Sequence, residues 1–128
     1  MSYDQPYAGL KIVDISQGFA GPYCAGIFAL YGAQVIKVEP PEGDKTRHLT
    51  GMGRAFFPTF NRGKKSITLN LKSDEGCTAL HSLLATADVF VENFRDQTLA
   101  KMGAISELPR IRKLLKKKGL NNKTILKN

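Results

Sequence analysis

The sequence has little of what metal sites and disulfide frameworks need. Tryptophan is absent, and only two cysteines and two histidines occur among 128 residues. Cys24 and Cys77 fall in predicted helices without metal-ligand spacing, so we expect reduced, buried thiols. His48 and His81 have no partner at a ligand spacing either, and His81 is expected at the surface or boundary of its helix. No metal site is therefore predicted.

Long apolar runs are also missing. No stretch of about 18 apolar residues occurs, so no membrane span is predicted. The N-terminal MSYDQPYAGL lacks the basic and apolar regions of a secretion signal. We expect a cytoplasmic protein without a membrane partner, and a mitochondrial or peroxisomal location stays open for a eukaryotic source.

Positive charge is concentrated at one end of the chain. The net charge is +8, yet residues 1–103 carry 11 basic against 10 acidic residues, and residues 104–128 carry 8 against 1. A nucleic-acid-binding face would spread positive charge over the folded part, so no nucleic-acid partner is expected. We predict a folded part at 1–103 and a solvated basic tail at 104–128. The alternative is a tail that contacts RNA or a membrane surface.

Apolar spacing predicts an α/β, Rossmann-like fold with an open, mostly parallel sheet. Residues 11–16 (KIVDIS) and 33–39 (AQVIKVE) read as strands. The helix between them is predicted to begin at Pro22, because proline is well tolerated at the first helical position, and to end at Gly32. This order makes a βαβ unit of about 30 residues, which joins parallel strands by a right-handed crossover.

Two more strands and two more helices follow. Residues 67–71 (ITLNL) and 88–93 (DVFVEN) are predicted strands, Ser73 is predicted to cap a helix that ends near Thr86, and residues 98–102 form a short helix. The polar segment 43–66 carries three phenylalanines and is too long for a simple connection. Such segments are usually functional, so we expect it to pack over a ligand or a partner chain.

Ligands of open parallel sheets bind beyond the carboxyl ends of the strands. A helix start at Pro22 would offer free N–H groups and the positive end of the helix dipole to an anion such as phosphate; the alternative is a plain strand-to-helix turn. Asp14 reads either as a buried acid or as a cap of a neighbouring turn. Cations that could hold a polyanion, unless they are simply solvated, are Arg62, Lys64, Lys65, Lys72, Arg95 and Lys101.

A nicotinamide dinucleotide is one candidate ligand. Glu39 closes the second predicted strand about 20 residues after the turn, where an acid would hold a ribose hydroxyl. The turn itself reads Q-G-F-A-G-P instead of G-x-G-x-x-G, with Phe19 where a small residue is required. No G-x-S-x-G, P-loop or metal cluster occurs, so spacing alone predicts a nucleotide-binding half and no reaction.

Longer strings carry a resemblance to a known family. LKIVDISQGFAGPYCAGIFALYGAQVIKVEPPEGDKTR, NRGKKSITLNLKSDEG and ADVFVENFRDQTLAKMG, in this order, closely resemble the N-terminal part of the class III CoA-transferases. This CaiB/BaiF family includes formyl-CoA transferase, carnitine CoA-transferase and the α-methylacyl-CoA racemases. The resemblance covers about residues 9 to 103. The long segment 43–66 is more similar to the transferases than to the racemases.

The resemblance implies a set of coenzyme A contacts. Lys72 and Lys101 would be the cations that reach phosphate groups. Pro40 stands where some transferases place an arginine against the adenine. Lys101 stands where family members often have an arginine, and a lysine cannot make the two parallel hydrogen bonds of a guanidinium. The implied set is Phe19, Ala20, Pro40, Leu69, Asn70, Leu71, Lys72, Asn93, Phe94, Arg95 and Lys101.

The resemblance also implies a reaction and partners. Family members transfer CoA from an acyl-CoA to a carboxylic acid: an aspartate attacks the thioester, forms a mixed anhydride and releases the CoA thiolate. That aspartate lies beyond the segment that aligns here, so no catalytic residue is assigned and the 128-residue chain is expected to be inactive alone. CoA is a substrate and no permanently bound cofactor is expected. Full-length relatives form interlocked homodimers. The alternative is that this chain is a CoA- or nucleotide-binding remnant, or a partner of an intact subunit.

Overall fold

The computed structural model describes residues 4–101, and its centre is one parallel sheet. The strands are β1 (Lys11–Asp14), β2 (Gln34–Glu39), β3 (Lys65–Thr68) and β4 (Val89–Val91). They lie in the order β3-β2-β1-β4, and all three neighbouring pairs are parallel. The predicted α/β class with a parallel sheet is thereby confirmed.

Helices cover both faces of this sheet. They are α1 (Ala20–Leu30), α2 (Phe56–Asn61), α3 (Asp74–Thr86) and α4 (Asp96–Lys101). Side chains of Ile12, Val35 and Val89 pack with Ala25 of α1 on one face. Successive side chains in a strand point to opposite faces of the sheet. Val13, which follows Ile12, and Phe90, which follows Val89, therefore pack with α3 and α4 on the other face.

The chain therefore reverses its winding direction at β1. The first crossover runs from β1 to β2 on the α1 face, and the crossover from β3 returns over the α3 face to β4 on the other side of β1. The crevice between the exits of β1 and β4 is the topological switch point, where open α/β sheets bind their ligands.

Several predicted boundaries were wrong. Helix α1 begins at Ala20, two residues before Pro22; this is tolerated because N–H groups of the first helical turn have no partner within the helix. The strands β1 and β4 are shorter than predicted, and β3 begins two residues before Ile67. All four residues of β3 are exposed, whereas Leu69 and Leu71, which were predicted as part of this strand and follow its end, are partly buried against the core. The cap at Ser73 is confirmed: its Oγ accepts a hydrogen bond from Gly76 N over 3.1 Å.

The long segment 43–66 is structured. It contains two 3₁₀ helices, Lys45–His48 and Gly51–Ala55, followed by α2, which packs against α1. Within residues 4–101, no helix has both the length and the apolar character needed to cross a bilayer. The predicted basic tail and its boundary at residue 103 lie outside the described residues.

Candidate functional site

A cavity of about 390 Å³ lies at the carboxyl ends of β1, β2 and β3. Its apolar wall comes from the strand ends and from the segment after β3. The strand ends contribute Ile15 and Val38, because the alternation of side chains along a strand turns both toward the α3 face. Polar groups stand at its margin. The lining residues are Ile15, Gln17, Val38, Pro40, Pro41, Glu42, Leu69, Asn70, Leu71, Lys72, Phe94 and Thr98.

Six of the eleven residues implied by the resemblance line this cavity. They are Pro40, Leu69, Asn70, Leu71, Lys72 and Phe94. A seventh, Asn93, holds a lining residue in place: its Nδ2 donates to the Gln17 carbonyl over 2.7 Å, and its Oδ1 accepts from Gln17 N over 3.1 Å. This pair of hydrogen bonds joins the exits of β1 and β4. Arg95 and Lys101 are exposed and stand outside the lining.

Phe19 and Ala20 also lie outside the cavity lining. The Phe19 ring contacts Phe56 and Phe60 edge-on, with centroid separations of 4.9 and 5.9 Å. Phe60 also meets Tyr23 of α1 at 5.8 Å. Phe56 and Phe60 therefore pack against Phe19 and α1, and the Arg47 guanidinium lies over the Phe57 ring. Contact of these aromatic residues with a ligand stays a prediction.

The corner between β1 and α1 is closely packed. Gly21 and Pro22 are buried, and a Cβ on Gly21 would overlap the side chain of Ser16. Glycine is required here because α1 begins in direct contact with the exit of β1. The N–H groups around Pro22 lie at a packed corner outside the cavity lining, and the predicted anion site at these groups stays a prediction.

Glu39 is committed to other protein groups. Its carboxylate is 3% exposed and accepts hydrogen bonds from Arg47 Nε (2.7 Å), an Arg47 terminal nitrogen (2.8 Å), Ser66 Oγ (2.6 Å) and Asp44 N (3.0 Å). Burial alone would raise the pKa of Glu39, but these donors outweigh it and lower the pKa to about 2. A carboxylate so saturated cannot also hold a ribose, which removes the basis for the dinucleotide alternative.

Two of the cations predicted to meet a ligand face elsewhere. The Lys64 side chain is 1% exposed and pairs with Asp14 at 2.8 Å, so Lys64 is a structural residue and Asp14 is a buried acid. Burial lowers the pKa of Lys64, and the neighbouring Asp14 carboxylate opposes this effect. Arg62 lines a separate groove between α1 and α2. Of the predicted cations, Lys72 lines the cavity.

The two cysteines are free and half-buried, where full burial was expected. Burial raises the pKa of the Cys24 thiol, and the negative charge of Asp14 adds to this effect. Within residues 4–101, no group of three or more His, Cys, Asp or Glu side chains is arranged to hold a metal ion.

Comparison with known proteins identifies the family. The model of "CoA-transferase family III" matches residues 7–112. The chain belongs to CoA-transferase family III. Among family members, it is 43% identical over 103 residues to the (R)-2-hydroxy-4-methylpentanoate CoA-transferase of Clostridioides difficile, covering 74% of this chain and 26% of that protein. It is 37% identical over 117 residues to the succinate–glutarate CoA-transferase of Agrobacterium fabrum, covering 83% and 29%.

Solved structures of the CoA-transferase family share the fold. A CaiB/BaiF family protein from Brucella suis superimposes with a TM-score of 0.74 at 37% identity, covering 87% of this chain and 31% of that one. The chain thus spans about a quarter to a third of the length of the family members it matches. Family membership and the parallel sheet agree with the expectations from the sequence.

Reasoning from the sequence missed part of the cavity lining. Thr98 comes from α4, Pro41 and Glu42 come from the turn after β2, Val38 comes from β2 itself, and Ile15 lies just past the end of β1. The alternating pattern of the two predicted strands could have identified Ile15 and Val38, because it turns both side chains away from α1 and toward the face that holds the cavity.

Proposed function

We propose that residues 4–101 form the coenzyme A-binding part of a class III CoA-transferase. The observation that carries this proposal is the cavity at the carboxyl ends of three parallel strands, in a chain that belongs to the family. Its apolar wall suits an uncharged part of the ligand. Lys72, an exposed lysine at the margin, is the cation for a phosphate group.

The relatives' names support coenzyme A as the ligand of this part. One acts with (R)-2-hydroxy-4-methylpentanoate and another with succinate and glutarate, and the shared component in both names is CoA. The segment common to these proteins and this chain therefore suits the shared component. CoA enters as a substrate, and the acyl-CoA and carboxylate acceptor define the whole protein's reaction.

Titration calorimetry of the 128-residue chain with CoA tests the proposal. We expect saturable binding that Lys72→Ala weakens about tenfold, because a hydrogen bond to a charged group contributes about 1.5–3 kcal/mol. Lys11→Ala is the matched control, since Lys11 is exposed at the opposite end of the sheet. Absence of heat with the unaltered chain would refute the proposal, as would equal effects of the two variants.

The chemical step belongs to residues outside this segment. In the family that the sequence resembles, an aspartate carboxylate attacks the thioester carbon, and the C–S bond breaks to release the CoA thiolate. That aspartate aligns with no residue from 1 to 128. We propose that residues 1–128 by themselves bind CoA without transferring it; turnover of an acyl-CoA with a carboxylate acceptor at the rate of a complete family enzyme would contradict this.

We also propose pairing with a second copy, which the resemblance implies, and a cytoplasmic location, as expected from the sequence. Sedimentation velocity over a range of protein concentrations tests the pairing. A single species of monomer mass at every concentration would contradict it for this chain.

A further inference from the structure

We infer that Lys37 is a positioning residue that fixes two walls of the CoA cavity from the opposite face of the sheet. This inference rests on the proposed function. Lys37 lies in β2 opposite Asp14 of β1. Its side chain is 1% exposed, and its Nζ is 2.8 Å from the Ser16 carbonyl oxygen and 2.9 Å from Asp44 Oδ2. One buried ammonium therefore joins the exit of β1 to the turn after β2.

The first wall is the exit of β1. The strand ends at Asp14, and Ile15 N still bonds to the carbonyl of Val91 over 3.0 Å. Ser16 is fully buried just past the strand, where its carbonyl needs a donor from elsewhere. Lys37 supplies that donor. The two residues that flank Ser16, Ile15 and Gln17, both line the cavity.

The second wall is the turn after β2, which Asp44 ends. Pro40, Pro41 and Glu42 of this turn line the cavity. Asp44 is fully buried, its N–H donates to Glu39, and its Oδ1 accepts from Thr46 N over 2.9 Å and from Thr46 Oγ1 over 2.7 Å. The Lys37 ammonium is the link between this locked turn and the exit of β1.

Lys37 acts on the cavity without touching a ligand in it. Lys37 shares the α1 face of the sheet with Val35, because residues two apart in a strand point to the same side. The cavity lies on the opposite face, where Val38 lines it. Any effect of Lys37 on CoA binding must therefore pass through Ser16 and Asp44, which set the separation of the two walls.

Loss of stability and loss of positioning can be separated by charge-matched variants. Lys37→Met removes the ammonium and leaves Asp44 charged, buried and unpaired. The double variant Lys37→Met/Asp44→Asn removes both charges, so it avoids an unpaired buried charge and recovers stability. It still lacks the donor to the Ser16 carbonyl. We expect its dissociation constant for CoA to rise about tenfold or more, since small misplacements of a binding site carry large costs.

Val35→Ala is the matched control for a general loss of stability. Val35 is buried on the same strand and the same face as Lys37, and it lies outside the cavity lining. We expect it to lower the free energy of unfolding and to leave CoA affinity unchanged. Backbone amide shifts of Gln17 and Glu42, recorded without ligand, should move together in the Lys37 variants and stay in place in Val35→Ala.

The outcomes distinguish this inference from the proposed function. If the unaltered chain binds no CoA, the proposed function fails, and the ligand-free amide shifts still decide whether Lys37 couples the two walls. If the unaltered chain binds and the double variant binds equally well, the inference alone fails. It also fails if Val35→Ala weakens CoA binding as much as the double variant does. Should Lys37→Met not fold, Asp44→Asn alone, which keeps the bond to Ser16, is expected to weaken binding by less than the double variant.

Discussion

Lys64 and Asp14, 50 residues apart in the sequence, meet as a buried ion pair with 2.8 Å between Nζ and Oδ2. The same ammonium donates to the Pro22 carbonyl and to Asn61 Oδ1, each over 2.8 Å. One side chain thereby ties α2 to α1 and to the end of β1. The segment 43–66 is consequently part of the folded unit, and Phe56 and Phe60 of α2 are held against Phe19 and α1.

Replacing Lys64 by methionine is expected to lower the free energy of unfolding by about 3–5 kcal/mol. The physical reason is that Asp14 would stay buried without its partner charge. Urea denaturation followed by circular dichroism measures the change. Lys65→Met serves as the control, because Lys65 is exposed on β3, and a surface substitution changes stability by about 0.5 kcal/mol or less. Equal losses in the two variants would contradict the structural role of Lys64.

Gly76→Ala is expected to destabilise the protein although Gly76 lies in a helix. Alanine normally gains about 1 kcal/mol over glycine within a helix. At this position, however, a Cβ would overlap the carbonyl oxygen of Asn70, so we expect a net loss of about 1–3 kcal/mol from the forced backbone shift. Ala85→Gly, at an exposed position of α3, is the comparison, because it measures how much an alanine-to-glycine exchange changes the stability of this helix without a steric contact. A gain in stability for Gly76→Ala would show that the close approach of Asn70 is wrong.

Acid is expected to weaken the attachment of the segment 43–66 through Glu39. The pKa of Glu39 is lowered from 4.5 to about 2, so its contribution is fully present above pH 4.5 and is lost as pH falls toward 2. The loss amounts to at most about 3 kcal/mol. Unfolding free energies measured between pH 5 and 2 should fall less steeply in Glu39→Gln than in the unaltered protein. The exposed Glu42 provides the control, Glu42→Gln, and a slope for Glu39→Gln equal to that of the unaltered protein would contradict the assignment.

Cys24 is expected to react slowly with iodoacetamide at pH 8. Burial and the charge of Asp14 raise the pKa of its thiol above the ordinary value of 9.0, and the thiolate is the reactive form. Labelling in a Cys77→Ser variant measures this residue alone. The rate should increase markedly when the protein is unfolded in urea at the same pH, and equal rates in the folded and unfolded protein would contradict the shift.

The succession of strands and helices along the chain and the parallel direction of the strands could be predicted from the sequence, because apolar periodicity and the crossover rule act locally. The order β3-β2-β1-β4 within the sheet was not predicted. The burial of Lys37 and Lys64 could not, because each is stabilised by a carboxylate that only the tertiary fold brings near. Lys64 was consequently predicted to be a ligand cation. For its partner Asp14, no local pattern could decide between a buried acid and a cap of a neighbouring turn.

The candidate site also divides into residues that local sequence patterns could predict and residues that depend on tertiary contacts. The residues that line the cavity next to strand ends, such as Pro40 and Leu71, follow from the parallel sheet and the resemblance together. Phe19 does not join them, because its ring finds apolar partners in α2, which the sequence did not predict as a helix. The coupling of Gln17 to Asn93 across the switch point likewise depends on the proximity of β1 and β4 in the sheet.

The central claim is that the cavity at the strand ends binds coenzyme A, and mapping of backbone amide shifts on titration with CoA tests it most directly. We predict that shifts concentrate at residues 15–17, at Glu42, at residues 69–72 and at Phe94, because Pro40 and Pro41 carry no amide proton. Shifts confined to the separate groove lined by Tyr23, Ile27 and Thr59, or no shifts at all, would contradict it.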